Sequence, residues 1–345
     1  MQSQNTGAFE AALRSLLLTR EALGAYPLSS EQKRLWLLAQ LTGAATLPVT
    51  VRYQFTGVVD IAVVQQNLST WATNSEALCS LFVEVMGRPV RILMPTGLVK
   101  LEFLECAQSD NDIAKRTCTL FELDRGPLLW ACVTRTDEQN YELLLSGHPI
   151  VVDEHSLQRI AQTLFQADPP HEFPPAGALA NLFHCERKLI RDEQTVAQWQ
   201  QWGTRLREPA ATDIPTENPR PPIKGSHRQI HEVQITHHGN PLCEADVVAS
   251  WLTVLMRWQG SQSALCGVKV RDSKHSNLIG PLQTYLPIRV DLMENSTLAE
   301  VRLQVVEQLK SGIRPPFSTL LEVCPPKRDL SRTPYFRNRP ASTLS

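Results

Sequence analysis

Near its midpoint the chain carries DPPHEFPP (168–175), a stretch that cannot continue a helix because proline lacks the backbone donor and its ring clashes with the preceding turn. A chain of 345 residues has room for about two domains at roughly 150 residues each, and this break divides it into halves of similar size. The expected organisation is an N-terminal helix within 1–25, a first half over 26–168 and a second half over 169–345. Further proline clusters, IPTENPRPP (214–222), Pro315–Pro316 and Pro325–Pro326, mark loops inside the second half.

Between these breaks the elements alternate in type. Ser29 and Gln32 have the spacing of a capping box that opens a helix carrying Leu35, Leu38 and Leu41. TVRYQFTG (50–57) alternates like a strand, and Asp60 reads as the N-cap of a helix running to about Thr73. LCSLFVEV and PVRILM follow as strands around the turn at Gly87. LLWACVTR (128–135) and YELLLSGHPIVV (141–152) pair as a hairpin, and helix returns from Ser156. The second half repeats the style. Trp199 and Trp202 sit in a helix, QIHEVQI (229–235) alternates, Val248, Trp251, Leu252 and Leu255 share a helical face, and Thr297 with Glu300 forms another capping box. Mixed strands and helices in two halves predict an α+β architecture.

The bulk numbers exclude several classes. There are 34 basic and 35 acidic residues, and this near balance lacks the basic excess of a nucleic-acid binder. No run of 18 apolar residues exists to span a membrane. Phe9, Leu13, Leu16, Leu17 and Leu23 fall roughly along one helical face, giving a helix packed on the body or, alternatively, a docking helix for a partner protein. Eight cysteines without a CxxC pair, and nine histidines without HExxH, fit reduced thiols in the cytoplasm and no metal site.

Several strings, in order, are similar to the core motifs of nonribosomal peptide synthetase condensation domains. LSSEQKRLWLLAQL (28–41) resembles the opening S-x-x-Q-x-R-L-W-x-L-x-Q-L helix, and Gly57 with Asp60 matches the step into the next. NSEALCSLF (74–82) stands in place of R-H-E-x-L-R-T-x-F, keeping Glu76, Leu78 and Phe82. FELDRGPLLWA (121–131) matches F-D-L-x-x-G-P-L-L-R-A. QWGTRLREPAATDIPTENPRP (201–221), LIGPLQTYLPIRVDL (278–292) and RPPFSTLLEVCPPKRDLSRTPYF (314–336) resemble the family's later segments. The resemblance implies two chloramphenicol-acetyltransferase-like lobes in a V arrangement with a tunnel between them. It also implies that peptidyl or acyl carrier proteins deliver phosphopantetheine-tethered substrates, that an amine attacks a thioester, that no dissociable cofactor takes part, and that a docking helix at the N-terminus would meet a partner megasynthase. A short stretch between Ile235 and Ala245 and an early end after TPYFRNRP imply an incomplete C-terminal lobe, as in a natural remnant or a split half.

The family's catalytic signature is H-H-x-x-x-D-G, and the matching string runs from His148 through Pro149 to Asp153 and Glu154. Pro149 stands where the resemblance places the catalytic imidazole, and proline has no group that takes or holds a proton. As a strand residue it would also lack the backbone donor. If 148–152 is strand, His148 points away from the tunnel-facing side and reads as a core histidine bonded to backbone. His155, near the helix start, is the candidate replacement base. The resemblance gives Asp153 a structural pairing with an arginine of the C-terminal lobe, for which Arg271 in CGVKVRDS is the candidate. Glu154 replaces glycine and is a candidate obstruction of the tunnel that needs its own partner. Three readings follow. One is a noncatalytic module that binds carrier proteins or recruits tailoring enzymes, as some condensation-like domains of glycopeptide synthetases recruit oxidases. Another is an acyltransferase working by positioning. The third is a truncated relic.

Overall fold

The computed structural model of the protein describes residues 2–42, 48–105, 121–137, 139–168, 170–207, 219, 242–271, 273–293 and 296–310. The chain forms two compact units, Met1–Lys188 with Arg271–Gln283, and Leu189–Val270 with Thr284–Ser345. The division therefore falls after Lys188, not at the proline-rich stretch. Phe173 packs edge-on against Trp71 with ring centroids 5.0 Å apart, and Leu179 and Phe183 enter the first core, so the segment from Pro170 to Pro175 forms a strap on the first unit.

The first unit begins with α1 (Gln2–Thr19), β1 (Gly24–Tyr26), α2 (Ser30–Thr42), β2 (Val49–Thr56) and α3 (Ile61–Asn74). There follow β3 (Ser80–Val85), β4 (Arg88–Leu93), β5 (Val99–Leu104), β6 (Leu129–Arg135), β7 (Asn140–Gly147), α4 (Glu154–Leu164) and α5 (Ala178–Leu189). The expected caps form. Ser29 N–H donates to Gln32 Oε1 while Gln32 N–H donates to Ser29 Oγ, and Asp60 Oδ1 accepts from Ala62 N–H at 2.8 Å.

The main sheet has the order β2-β7-β6-β5, antiparallel except for the β5–β6 pair, and β1-β4-β3 form a smaller sheet. Alternation along β7 sorts its residues. Leu143 and Leu145 join Leu68, Leu157, Ile160 and Leu164 in the main core, whereas Leu144 meets Trp130 and Cys132 on the opposite face. Each such buried leucine contributes roughly 1.5–3 kcal/mol of transfer free energy. Phe9, Leu13, Leu16 and Leu17 of α1 pack on this core. Leu23 lies beyond the helix and is 69% exposed, so the apolar face is shorter than the sequence period suggests.

The second unit holds α6 (Glu193–Arg207), α7 (Glu244–Gln259), β8 (Ser263–Val270), β9 (Thr284–Asp291) and α8 (Leu298–Lys310). The antiparallel β8–β9 pair buries Cys266, Val268, Ile288 and Val290 against Val248 and Leu252 of α7 and Val301 and Val305 of α8. Leu255 is fully buried and Trp251 packs partly on that cluster. The Thr297–Glu300 capping box opens α8. The expected strand over 229–235, the shortened stretch from Ile235 as far as residue 241 and the closing segment over 314–336 lie outside the described residues, as does the question of an incomplete lobe. The described chain is an α+β fold.

Candidate functional site

Register on the main sheet brings the motif to its place. Gly147, the last residue of β7, pairs with Val49 on one side and Leu129 on the other. A Cβ there would stand 2.4 Å from Val152 Cγ2, so any larger residue would push Val152 or the loop that folds back over the strand end. The strand stops at Gly147, and this corrects the expected strand through Val152. The next residues form a turn in which Val151 N–H donates to His148 O at 3.0 Å. Pro149 occupies the second position of that turn, where its fixed φ is favoured and no N–H is needed. Contrary to expectation, then, the proline forfeits no strand hydrogen bond. Pro149 is half-buried, while Ile150, Val151 and Val152 are fully buried.

His148 is the hub of the turn and is 4% exposed. Its N–H donates to Leu128 O at 2.9 Å, its carbonyl accepts from Val151 and Val152, and its Nδ1 accepts from Ile150 N–H at 3.1 Å. Burial pushes its pKa down to about 4, so the ring is neutral at physiological pH. A side chain outside the expected site completes the turn: Gln32 Nε2 donates to Ile150 O at 3.0 Å, from a fully buried position. Its capping-box spacing was the visible signal, and the long-range contact had none.

Asp153 caps α4 and is saturated with donors. Its Oδ1 accepts from Ser156 N–H at 2.8 Å and Ser156 Oγ–H at 2.7 Å, and its Oδ2 accepts from Leu282 and Gln283 N–H at 3.0 and 2.9 Å. Arg271 Nη1 lies 2.6 Å from both oxygens, with side-chain exposures of 9% and 7% for the arginine and the aspartate. Arg271 Nη2 donates to the carbonyls of His275 and Leu278, and Gly280 N–H reaches Ser156 Oγ at 3.1 Å. The structure thus brings Asp153 and Arg271 together as a clamp that holds 271–283 on the first unit. Burial lowers the Arg271 pKa, Asp153 opposes that shift, and the nearby Arg159 guanidinium adds to it.

The other candidates flank this clamp. Glu154 opens α4, where a carboxylate favours the helix N-terminus, and its charge adds to burial in raising the Tyr53 pKa. His155 is half-buried, and its Nε2 lies 3.2 Å from Ser276 O. A carbonyl only accepts, so Nε2 is the donor in this contact. Arg159, one turn further along α4, is a cation that sequence reasoning does not single out; the four-residue step from His155 is its only signal.

A Condensation domain model matches residues 22–339. The chain belongs to the condensation-domain family. It is 30% identical over 347 residues to malpinin synthetase of Mortierella alpina, covering 90% of this chain and 4% of that one. It is 25% identical over 337 residues to bacitracin synthase 2 of Bacillus licheniformis, covering 91% and 13%. The chain thus spans a small fraction of these synthetases' length. Among solved structures, the X-domain from teicoplanin biosynthesis has a TM-score of 0.68 at 20% identity, covering 91% of this chain and 76% of that one. The starter condensation domain of rhizomide synthetase has 0.65 at 18%, covering 89% and 77%. These structures share the fold of this condensation domain.

Proposed function

We propose that this condensation-domain protein is a noncatalytic binding module of nonribosomal peptide biosynthesis, holding carrier proteins or a tailoring enzyme without forming an amide itself. The observation that carries the reading is the proton inventory of the motif turn. Pro149 has no acid or base, and the one imidazole in the turn, His148, spends Nδ1 on Ile150 N–H inside the core. Loss of a positioned base removes typically ~10²–10⁴ in rate, while the Asp153–Arg271 clamp still keeps the turn in place. The X-domain of teicoplanin biosynthesis, a neighbour in fold, is known in a complex with OxyB, which makes recruitment of a tailoring enzyme a sensible function for such a scaffold. Substrates would arrive tethered to the phosphopantetheine of carrier proteins, with no dissociable cofactor. The test is a pull-down with phosphopantetheine-loaded carrier proteins of neighbouring modules: retention supports the module, and absence of binding to every cognate carrier counts against it.

A second reading is acyl transfer with His155 as base. It is favoured by the place of His155 at the start of α4, two residues after Asp153, where Nε2 is engaged by Ser276 O and a neutral ring would carry its lone pair on Nδ1. Proximity alone supplies several kcal/mol of a transfer barrier. Turnover that disappears in His155→Ala would establish this reading, and turnover unchanged in that variant would clear His155 of the role.

A further inference from the structure

The first unit contains a cavity of about 200 Å³ that no residue of the motif turn lines, walled by the end of α3, the strap before α5 and the segment at Leu278–Ile279. Trp71, Phe173, Leu179 and Ile279 give it a largely apolar and partly aromatic lining. Its ionisable groups are already silenced. Glu76 accepts from Arg91 Nη2 at 2.9 Å through one oxygen and from Leu179 N–H at 3.2 Å through the other. Cys79 donates to Ala72 O at 2.9 Å, and burial pushes its thiol up to about 11. One polar group in the wall has no partner. Ser75 is 5% exposed, its N–H is bonded to Trp71 O and its carbonyl to Cys79 N–H, and its Oγ makes no hydrogen bond.

A buried hydroxyl left unpaired costs free energy that a bound partner recovers. As it stands Oγ is sealed off from the open space of the cavity, and a turn about χ1 to another staggered rotamer would present it to a group entering there. An enclosed apolar space of ~150 Å³ holds benzene, and this cavity, which is partly open to solvent, has room for a ring of that size. From these observations we propose that the cavity is a binding site for a small, uncharged aromatic molecule with one hydrogen-bonding group, the ring against Trp71 and Phe173 and the polar group on Ser75 Oγ. An ionised ligand is disfavoured, because the wall offers no unspent charge to offset desolvation. Binding here is independent of what the motif turn does.

The test titrates the full chain with phenol, toluene and benzoate and follows binding by saturation-transfer NMR. Phenol and toluene should bind saturably, at roughly millimolar or tighter dissociation constants, and benzoate should not. Ser75→Ala should weaken phenol about 3- to 10-fold, leave toluene within about twofold, and cost no thermal stability, since it removes an unpaired hydroxyl. Ala176→Trp, at an exposed lining position, should block both ligands in a protein that melts normally. Absence of saturable binding to the folded chain, or phenol binding indifferent to both variants, would overturn the site. An equal loss of phenol and toluene in Ser75→Ala would overturn the hydrogen bond.

Discussion

Removing the anion of the Asp153–Arg271 clamp should hurt the protein more than removing the cation. In Arg271→Met the buried carboxylate keeps four donors, namely Ser156 N–H and Oγ–H and the amides of Leu282 and Gln283. In Asp153→Ala the buried guanidinium loses its carboxylate, Gln283 N–H loses its acceptor, Leu282 N–H keeps only Gly280 O, α4 loses its cap, and Arg159 remains nearby as a like charge. Breaking a buried pair from one side costs about 3–5 kcal/mol, and a lost cap adds about 1. Arg271→Met is therefore expected near the bottom of that range, about 3 kcal/mol, and Asp153→Ala near the top, about 5. The double variant should cost clearly less than the sum, because no charge is stranded in it. Urea unfolding followed by circular dichroism gives the three values. Amide exchange at Gly280, Leu282 and Gln283 reads the clamp locally, and these amides should lose protection in Asp153→Ala. Single-variant costs under about 1 kcal/mol, strict additivity, or undisturbed protection would refute the electrostatic account of the clamp.

Other outcomes follow from the turn. The folded-state pKa of His148 lies below its unfolded value near 6.5, so the unfolded chain binds the extra proton; stability from this group is full above about pH 6.5 and declines as pH falls toward 4. The gap corresponds to about 3 kcal/mol, and the difference in stability between the protein and His148→Asn, measured by urea unfolding across pH 4–7, should shrink by about that amount. A flat difference would show that His148 titrates normally. Gln32→Leu leaves Ile150 O and Ser29 N–H without their partners and should cost about 2–4 kcal/mol in the same assay; a neutral result would mean the contact with the turn is not formed. Pro149→His sits at a turn position open to most residues and should cost only about 0.4–1 kcal/mol, through the freer unfolded chain, so its melting temperature should change by a few degrees at most.

Local chemistry is readable from the chain and long-range geometry is not. Ser29–Gln32, Asp60 and Thr297–Glu300 declare their caps within three residues, and the caps form as spaced. The end of β7 is hidden because Ile150, Val151 and Val152 are as apolar as a strand. What stops the strand is the fold-back permitted at Gly147 and the turn built on His148, which hydrophobic pattern does not encode. The proline strap reads as a boundary because its composition is that of a linker, whereas Phe173 anchors it to Trp71. Asp153 and Arg271 are 118 residues apart, so no period links them; only the resemblance makes the pair nameable. Gln32 on Ile150 O and Arg159 beside Arg271 have no such help.

The proposed loss of catalysis rests on there being no working base at position 149. A single-turnover reaction combines the purified chain with a donor-loaded and an acceptor-loaded carrier protein and follows the acceptor by intact-protein mass spectrometry. The account predicts no amide-bearing acceptor above the rate of the same mixture without the chain. Amide formation that depends on the wild-type chain would contradict it.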